Sequence, residues 1–423
     1  MSDWVDHAIW WHVYPLGFVG APIRDVESRD VVHRLPHLQS WLGHAVELGC
    51  SGVLLGPVFA STSHGYDTTD YLTIDPRLGD EGDMDAFLAA AKDAGLRVLF
   101  DGVFNHVGRE HPAFQRVLEQ GPDASEADWF RLTWPEGGWS PGVEPEYETF
   151  EGHGGLVALD HTSPAVEQLV VDVMTHWLRR GIDGWRLDAA YAVDPAFWAR
   201  VLPRVREEFP GVWFLGEVIH GDYADIAQRG TLDSVTQYEL WKAIWSSLRD
   251  RNFHELAWSL TRHAEFSESL TLQTFVGNHD TSRIVTQIGD EGLAVVAATL
   301  LFTLPGIPSV YYGDEYAYVG EKTDGWGGDD DVRPRFPESP GDIAFGGWME
   351  EQYRSLIGLR RRHPWLVRAS IEQGEVTNET FTYTVRDPGG DDALTVELAT
   401  TPASATVTNA AGEVLYTSPA ETV

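Results

Sequence analysis

The feature that most limits what this chain can fold into is an eightfold recurrence of short apolar runs. They fall at residues 9–14, 51–57, 97–100, 183–187, 212–215, 235–237, 270–276 and 309–312. Their length, flanks and β-branched or aromatic content read as strands. Helical patterns at 32–48, 84–94, 164–180, 195–208, 239–264, 291–304 and 348–362 separate them, with none between the fifth and sixth runs. Gly95 and Gly181 stand where two of these helices end, as a left-handed terminal residue does. Eight strands alternating with helices predict an α/β chain folded as a (β/α)8 TIM barrel. The competitor, a doubly wound open sheet, has fewer units and a Gly-rich phosphate loop that this sequence lacks.

Two segments leave the alternation. Residues 108–157 have no steady period and are rich in Gly, Pro, Trp and acidic side chains, which reads as an inserted excursion. Beyond about residue 364, alternating runs such as Phe381-Thr382-Tyr383-Thr384-Val385 are separated by turns such as Asp387-Pro388-Gly389-Gly390. They predict a small antiparallel β domain of four to six strands. The domain reading is therefore 1–106 and 159–363 for the barrel, 107–158 for the insertion and 364–423 for the C-terminal β domain. No fixed-period repeat or low-complexity tract is found.

Composition narrows the partners. A formal charge of −35 excludes a phosphate backbone or an anionic membrane surface as a natural ligand. It fits a neutral ligand and a solvated acidic surface. The single cysteine, Cys50, permits no internal disulfide and lies between a helix and a strand, so it reads as a buried inert thiol. No basic-then-apolar leader opens the sequence and no run reaches membrane-spanning length, so the expected location is cytoplasmic, with no membrane partner.

The chemistry sits at the ends of the runs. Gly184-Trp185-Arg186-Leu187-Asp188-Ala189-Ala190-Tyr191 places Arg186 and Asp188 at alternate positions, hence on one side of a strand. An aspartate beside a guanidinium stays ionised, as a carboxylate nucleophile must. Alone, the pair reads equally well as a structural ion pair. However, Asp101-Gly102-Val103-Phe104-Asn105-His106 ends the third run, Gly216-Glu217-Val218 the fifth and Gly277-Asn278-His279-Asp280 the seventh. The C-terminal rim of a barrel is where such residues converge.

These four segments, in this order, resemble the conserved regions of the α-amylase family of retaining glycoside hydrolases (family 13). Ser63-His64-Gly65-Tyr66-Asp67 after the second strand and Tyr312-Gly313-Asp314-Glu315 after the eighth add to the likeness. The resemblance covers about residues 5–363, and the β tail agrees in kind. It implies Asp188 as nucleophile, Glu217 as general acid and base, and Asp280 as the group that holds the ring hydroxyls in the transition state. Arg186 would keep Asp188 ionised, His106 and His279 would hydrogen-bond the sugar, and Tyr66 would stack beneath it. His64 and Asp101 belong to the same expected substrate-binding set. A retaining site needs one ionised and one protonated carboxyl roughly 5 Å apart. Glu217 follows an apolar run with no cation adjacent in sequence, which favours the protonated form. The excursion matches the family's B domain, and of Trp129, Phe130, Trp134, Trp139, Tyr147 and Phe150 one or two are expected to face substrate. Asp160 is assigned no role.

The departures matter as much. Many members bind calcium between the barrel and the B domain. Asn105 retains one ligand, but Tyr191 and Ala192 replace the lysine and histidine after the nucleophile, and the loop after the first strand lacks a calcium pattern. The expectation is no cofactor, with calcium disfavoured. Asp329-Asp330-Asp331 reads as solvated loop, and Arg333 and Arg335 cannot be placed. The implied activity is hydrolysis of α-glucosidic bonds in short α-glucosides or maltooligosaccharides through a covalent glycosyl-enzyme. The alternatives are a transglycosylase with the same site and a non-catalytic amylase-like interaction protein. The sequence names neither the linkage nor the oligomeric state.

Overall fold

In the computed structural model, which describes residues 3–24, 28–325 and 327–418, the eight apolar runs become one parallel sheet. Its strands are β1 (Trp10–Val13), β2 (Gly52–Leu55), β3 (Arg97–Gly102), β4 (Gly184–Leu187), β5 (Trp213–Gly216), β6 (Ser234–Val235), β7 (Gln273–Phe275) and β8 (Ile307–Tyr311). Pairing runs β6-β5-β4-β3-β2-β1-β8-β7. One parallel bridge, Thr236 opposite Gln273, joins β6 to β7 and closes the ring. There the Gln237 amide donates to the Gln273 carbonyl at 2.9 Å. Strands covered on both faces read as continuous apolar runs because neither face meets water. Accordingly β1, β2, β4, β5, β7 and β8 are buried throughout.

The barrel is apolar at one end and polar at the other. Trp10, Leu54, Leu99, Trp213, Leu215 and Ile307 form a separate interior core with Val5, Ala8 and Val367. The latter three come from the flanking segments Asp3–His7 and Pro364–Arg368 and their surroundings, which close the N-terminal end of the strands. The surrounding helices begin and end on local signals. Ser163 accepts from the Ala165 amide at the start of Pro164–Arg180, and left-handed Gly181 ends it. Asp80 and Asp83 cap Glu81–Asp93 reciprocally.

Several elements differ from the sequence reading. The pattern at 32–48 is two helices, Leu35–Gln39 and Leu42–Leu48, and that at 239–264 is Tyr238–Arg249 and His254–Ser267. A helix, Tyr223–Gly230, does separate β5 from β6. Asp222 caps it through the Asp225 amide, and its eight residues are too few for a clear period. The stretch after β2 is a hairpin, Phe59–Ser61 against Thr68–Ile74, whose register shifts blur its alternation. The excursion contains an amphipathic helix, Pro112–Gln120, and leaves and rejoins the barrel through His106–Gly108 paired with Leu156–Ala158.

The C-terminal segment is a five-stranded antiparallel meander of β9 (Ser370–Val376), β10 (Thr380–Arg386), β11 (Ala393–Thr400), β12 (Ala403–Asn409) and β13 (Val414–Thr417). It is tied to the barrel helices by Thr303 to Tyr383 at 2.5 Å and by the Tyr416 hydroxyl to Gln352 at 2.7 Å. Among the described residues no helix is long and apolar enough to cross a membrane.

Candidate active site

Strand register assembles the site. Arg186 on β4 lies opposite Asp101 on β3 and Leu215 on β5, and one level higher Leu187 lies opposite Gly102 and Gly216. Asp188 and Glu217 are therefore the first residues beyond two adjacent strands, at matching height. The Arg186 guanidinium is the hub beneath them. Nη1 donates to both Asp101 oxygens at 2.8 and 2.6 Å and lies 3.5 Å from Asp188 Oδ1, while Nη2 is 2.6 Å from Glu217 Oε1. Ala189 has a left-handed backbone (φ 47°), a strained setting for a residue with a side chain. That turn lets its amide donate to Glu217 Oε2 at 3.0 Å. Tyr238, at the start of the helix after β6, donates its hydroxyl to Glu217 Oε1 at 3.1 Å and accepts from Asn278 Nδ2 at 2.7 Å.

Asp280 is held from the other side. Its Oδ1 accepts from Arg333 Nη2 at 2.9 Å, its Oδ2 lies 2.9 Å from His279 Nε2, and its amide donates to Asn278 Oδ1 at 2.9 Å. Arg333 also donates to the His279 carbonyl at 2.9 Å and pairs with Asp329 at 3.2 Å. Its guanidinium carbon sits 4.5 Å from the centre of the Tyr14 ring. The Tyr66 hydroxyl bridges His279 Nε2 and Asp101 Oδ2.

Asp188, Glu217 and Asp280 line one cavity of about 520 Å³, together with His64, Tyr66, His106 and Phe150. Asp101, Arg186 and His279 do not line it. They are 0%, 3% and 0% exposed and stand behind the lining, where Asp101 and His279 meet the Tyr66 hydroxyl, Arg186 meets Glu217 and His279 meets Asp280. His106 stacks on Phe150 with centroids 4.9 Å apart and sets Nε2 3.0 Å from the Tyr66 carbonyl. Burial lowers His64 and brings His106 down to about 4, so His106 is a neutral hydrogen-bonding group at pH 7.

The electrostatics correct one expectation, and the geometry gives Glu217 a neighbour that the sequence did not show. Asp188 is raised well above the ordinary carboxylate range, first by burial and then by the Glu217 and Asp101 charges, with Arg186 opposing. Arg186 cannot hold the nucleophile low because its guanidinium is shared among three carboxylates and lies nearest the other two. Glu217, which has no cation beside it in sequence, has Arg186 2.6 Å away in space. Asp280 behaves in the opposite way. Burial pushes it up, but His279, Arg333 and Lys322 outweigh that and hold it well below its usual range.

Sequence reasoning missed Tyr238 and the partnership of Arg333 with Asp280, because these side chains are on a helix start and a loop with no motif of their own, and it gave no role to Asn278 within the segment Gly277-Asn278-His279-Asp280. Arg335 is on the surface, paired with Glu338. Asp329 is not simply solvated: it pairs with Arg333 and Lys322 and lines the cavity. Of the six excursion aromatics expected near substrate, only Phe150 reaches this cavity. Phe130 is buried, and Trp139 is spent against Gly121 and the Leu118 carbonyl. Tyr191 donates to Glu151 Oε1 at 2.9 Å across the cavity rim.

The surroundings of Asn105, the one expected calcium ligand that the sequence retains, carry guanidinium groups. A second cavity, of about 480 Å³, is lined by Asn105, Arg131, Glu148, Ala192 and Arg200. Arg131 pairs with Glu148 at 2.9 Å and with Asp160 at 3.3 Å, and the Asn105 amide donates to His106 Nδ1 at 3.1 Å. Two guanidinium groups in this lining and the pairing of Glu148 with Arg131 oppose a hard divalent cation there.

Comparison with known proteins agrees with this geometry. Residues 34–370 match the model of the α-amylase catalytic domain. A cyclomaltodextrinase of Geobacillus thermopakistaniensis is 31% identical over 87% of this chain and 64% of its own length. An intracellular maltogenic amylase of Bacillus subtilis is 28% identical over 75% of this chain and 57% of its own. The chain thus spans under two thirds of the length of these relatives. Among solved structures, ligand-free cyclic α-maltosyl-(1→6)-maltose hydrolase from Arthrobacter globiformis superposes with a TM-score of 0.82. It is 27% identical, and the match covers 94% of this chain and 92% of that one. With a matching catalytic-domain model, a closed barrel and the three carboxyl groups at one rim, the chain belongs to the α-amylase family.

Proposed function

We propose that the protein is a retaining glycoside hydrolase that cleaves α-glucosidic bonds of short α-glucosides or maltooligosaccharides. The observation that carries this reading is the shared lining of one sugar-sized cavity by Asp188, Glu217 and Asp280. In the first step Asp188 attacks the anomeric carbon while Glu217 protonates the departing oxygen, giving a covalent glycosyl-enzyme. In the second step Glu217 takes a proton from water, which attacks the same carbon and releases the sugar with its configuration retained. The step needs a proton on Glu217 and a charge on Asp188, two neighbouring carboxyl groups that share the Arg186 guanidinium. A glycosidic oxygen set against Glu217 gives that proton its acceptor, and Arg186 meets the charge left on Asp188. Asp280, held ionised by its cationic neighbours, receives ring hydroxyls, and contacts that tighten in the transition state lower the barrier. The reading includes a cytoplasmic location, in keeping with the intracellular naming of the Bacillus subtilis relative.

The test is a panel of α-glucosides and maltooligosaccharides with the product anomer followed by NMR, using wild type, Asp188→Asn and Glu217→Gln. The α-anomer appears first and both variants lose at least about 10³-fold in kcat/KM. First release of the β-anomer, or no cleavage of any α-glucoside, overturns the proposal. Transfer products exceeding free sugar when an acceptor is added reassign the protein as a transglycosylase.

A further inference from the structure

A third cavity, of about 530 Å³, adjoins the catalytic one and is continuous with its lining, since Ile219, Tyr238 and Trp241 face both. It runs away from the catalytic centre on the side of Glu217, toward the helix His254–Ser267. That direction has a chemical meaning within the proposed mechanism. Glu217 protonates the leaving oxygen, so residues just beyond it face the departing part of the substrate. Asp280, Arg333 and Tyr66 surround the opposite side.

Two of the exposed large apolar side chains of the described residues line this one cavity: Ile219, 40% exposed, and Trp258, 61% exposed. Trp258 is the only tryptophan in that exposed set. The side chains around it are packed and paired. Trp241 stacks on Phe275 at 6.3 Å and meets Tyr238 edge-on at 5.8 Å. Arg262 sits 5.4 Å from the Trp258 ring and is fixed by Glu239 through bonds of 2.5 and 3.0 Å. Lys242 pairs with Glu255 at the same wall. A flat indole beside fixed, paired polar groups suits a pyranose, which offers an apolar face of C–H bonds and an equatorial belt of hydroxyls.

We infer that this cavity is a remote leaving-group subsite that binds further glucosyl units of an α-glucan chain, with Trp258 as its stacking platform. The inference rests on the functional reading above and adds to it a preference for longer chains. Trp258 touches neither the reacting atoms nor the side chains that hold them.

The test compares maltotriose with maltoheptaose on wild type, Trp258→Ala and Trp258→Phe. Loss of one stacking contact raises KM for maltoheptaose about fivefold in Trp258→Ala. KM for maltotriose and kcat for both sugars stay within twofold, and Trp258→Phe recovers most of the loss. Calorimetric titration of the same two sugars into Asp188→Asn, with and without Trp258→Ala, gives a readout independent of turnover. The heptasaccharide binds more tightly than the trisaccharide, and that advantage disappears with Trp258→Ala. Equal effects on both sugars, or no effect on either, overturn the inference. Absence of wild-type cleavage with the chain-length advantage intact overturns the proposed activity and leaves the subsite standing.

Discussion

Arg186→Met removes the hub of the site at nearly constant volume and leaves Asp101, Asp188 and Glu217 buried without the guanidinium they share. Burial already raises Asp188, and Arg186 opposes that rise, so its removal raises Asp188 further. At the observed 3.5 Å, attraction at an effective dielectric of ~20 is about 4.7 kcal/mol. At about 1.4 kcal/mol per pH unit that caps the change at about 3.4 units, and relaxation of the site leaves about one or two. Because the nucleophile must be ionised, the acid limb of kcat/KM moves to higher pH by about one to two units. Breaking a buried pair costs about 3–5 kcal/mol. With an unfolding entropy of about 2.1 cal/mol/K per residue, 423 residues give about 0.9 kcal/mol/K and a Tm lower by about 3–6 °C at pH 7. That deficit shrinks on acidification, as the stranded carboxyls take up protons. The assays are a pH–kcat/KM profile from pH 3.5 to 9 and thermal unfolding by circular dichroism across the same range. An acid limb within 0.3 unit of wild type, in a protein with native circular dichroism, refutes the shared-guanidinium account.

Asp188→Asn loses activity yet gains stability. The folded chain holds the raised Asp188 proton to higher pH than the unfolded chain does, so this group costs stability as pH rises from about 3.9 through its folded value. Asparagine removes that cost, and Tm at pH 7 rises by at least about 1.5 °C; a Tm at or below wild type sinks the argument. Asp280 has the reverse sign, contributing stability that is present above about pH 3.9 and lost as pH falls through its lowered folded value. Arg333→Gln therefore costs about 3 kcal/mol in denaturant unfolding at pH 7 and clearly less at pH 3, where equal losses at both would disprove the pairing. A chelator leaves Tm within 1 °C and activity unchanged, because Arg131 fills the wall where a cation would sit; a chelator-dependent fall reversed by calcium contradicts this.

The barrel and the positions of its rim carboxyls were legible because strand ends are written locally. Arg186 and Asp188 alternate at the end of one strand, and Glu217 and Asp280 each follow a recognisable run. What stayed hidden depends on pairing between strands. The register that brings Asp101 and Glu217 onto one guanidinium is a property of β3, β4 and β5 together, and no spacing along the chain encodes it. Tyr238 and Arg333 were likewise unreadable, since each sits in a loop or helix start whose direction is set by packing, and the place of Asn278 beside Asp280 gave no sign of its bond to Tyr238. Asp329 looked like solvated acid because its partners, Arg333 and Lys322, are joined to it by a fold in the loop rather than by a periodic pattern. The helix at Pro112–Gln120 was obscured by the Gly, Pro and acidic residues around it.

The closure of the ring at β6 and β7 has a thermal consequence. A hoop fastened at one joint by a lone rung parts there first when heated. Just above that joint the Asn278-to-Tyr238 link works as a clasp, and the same Tyr238 hydroxyl steadies Glu217. Parting the seam therefore drags the proton donor out of line while the other seven joins still hold. Inactivation on warming precedes loss of the barrel, and amides beside Thr236 and Gln273 are the first of the strand amides to exchange with deuterium.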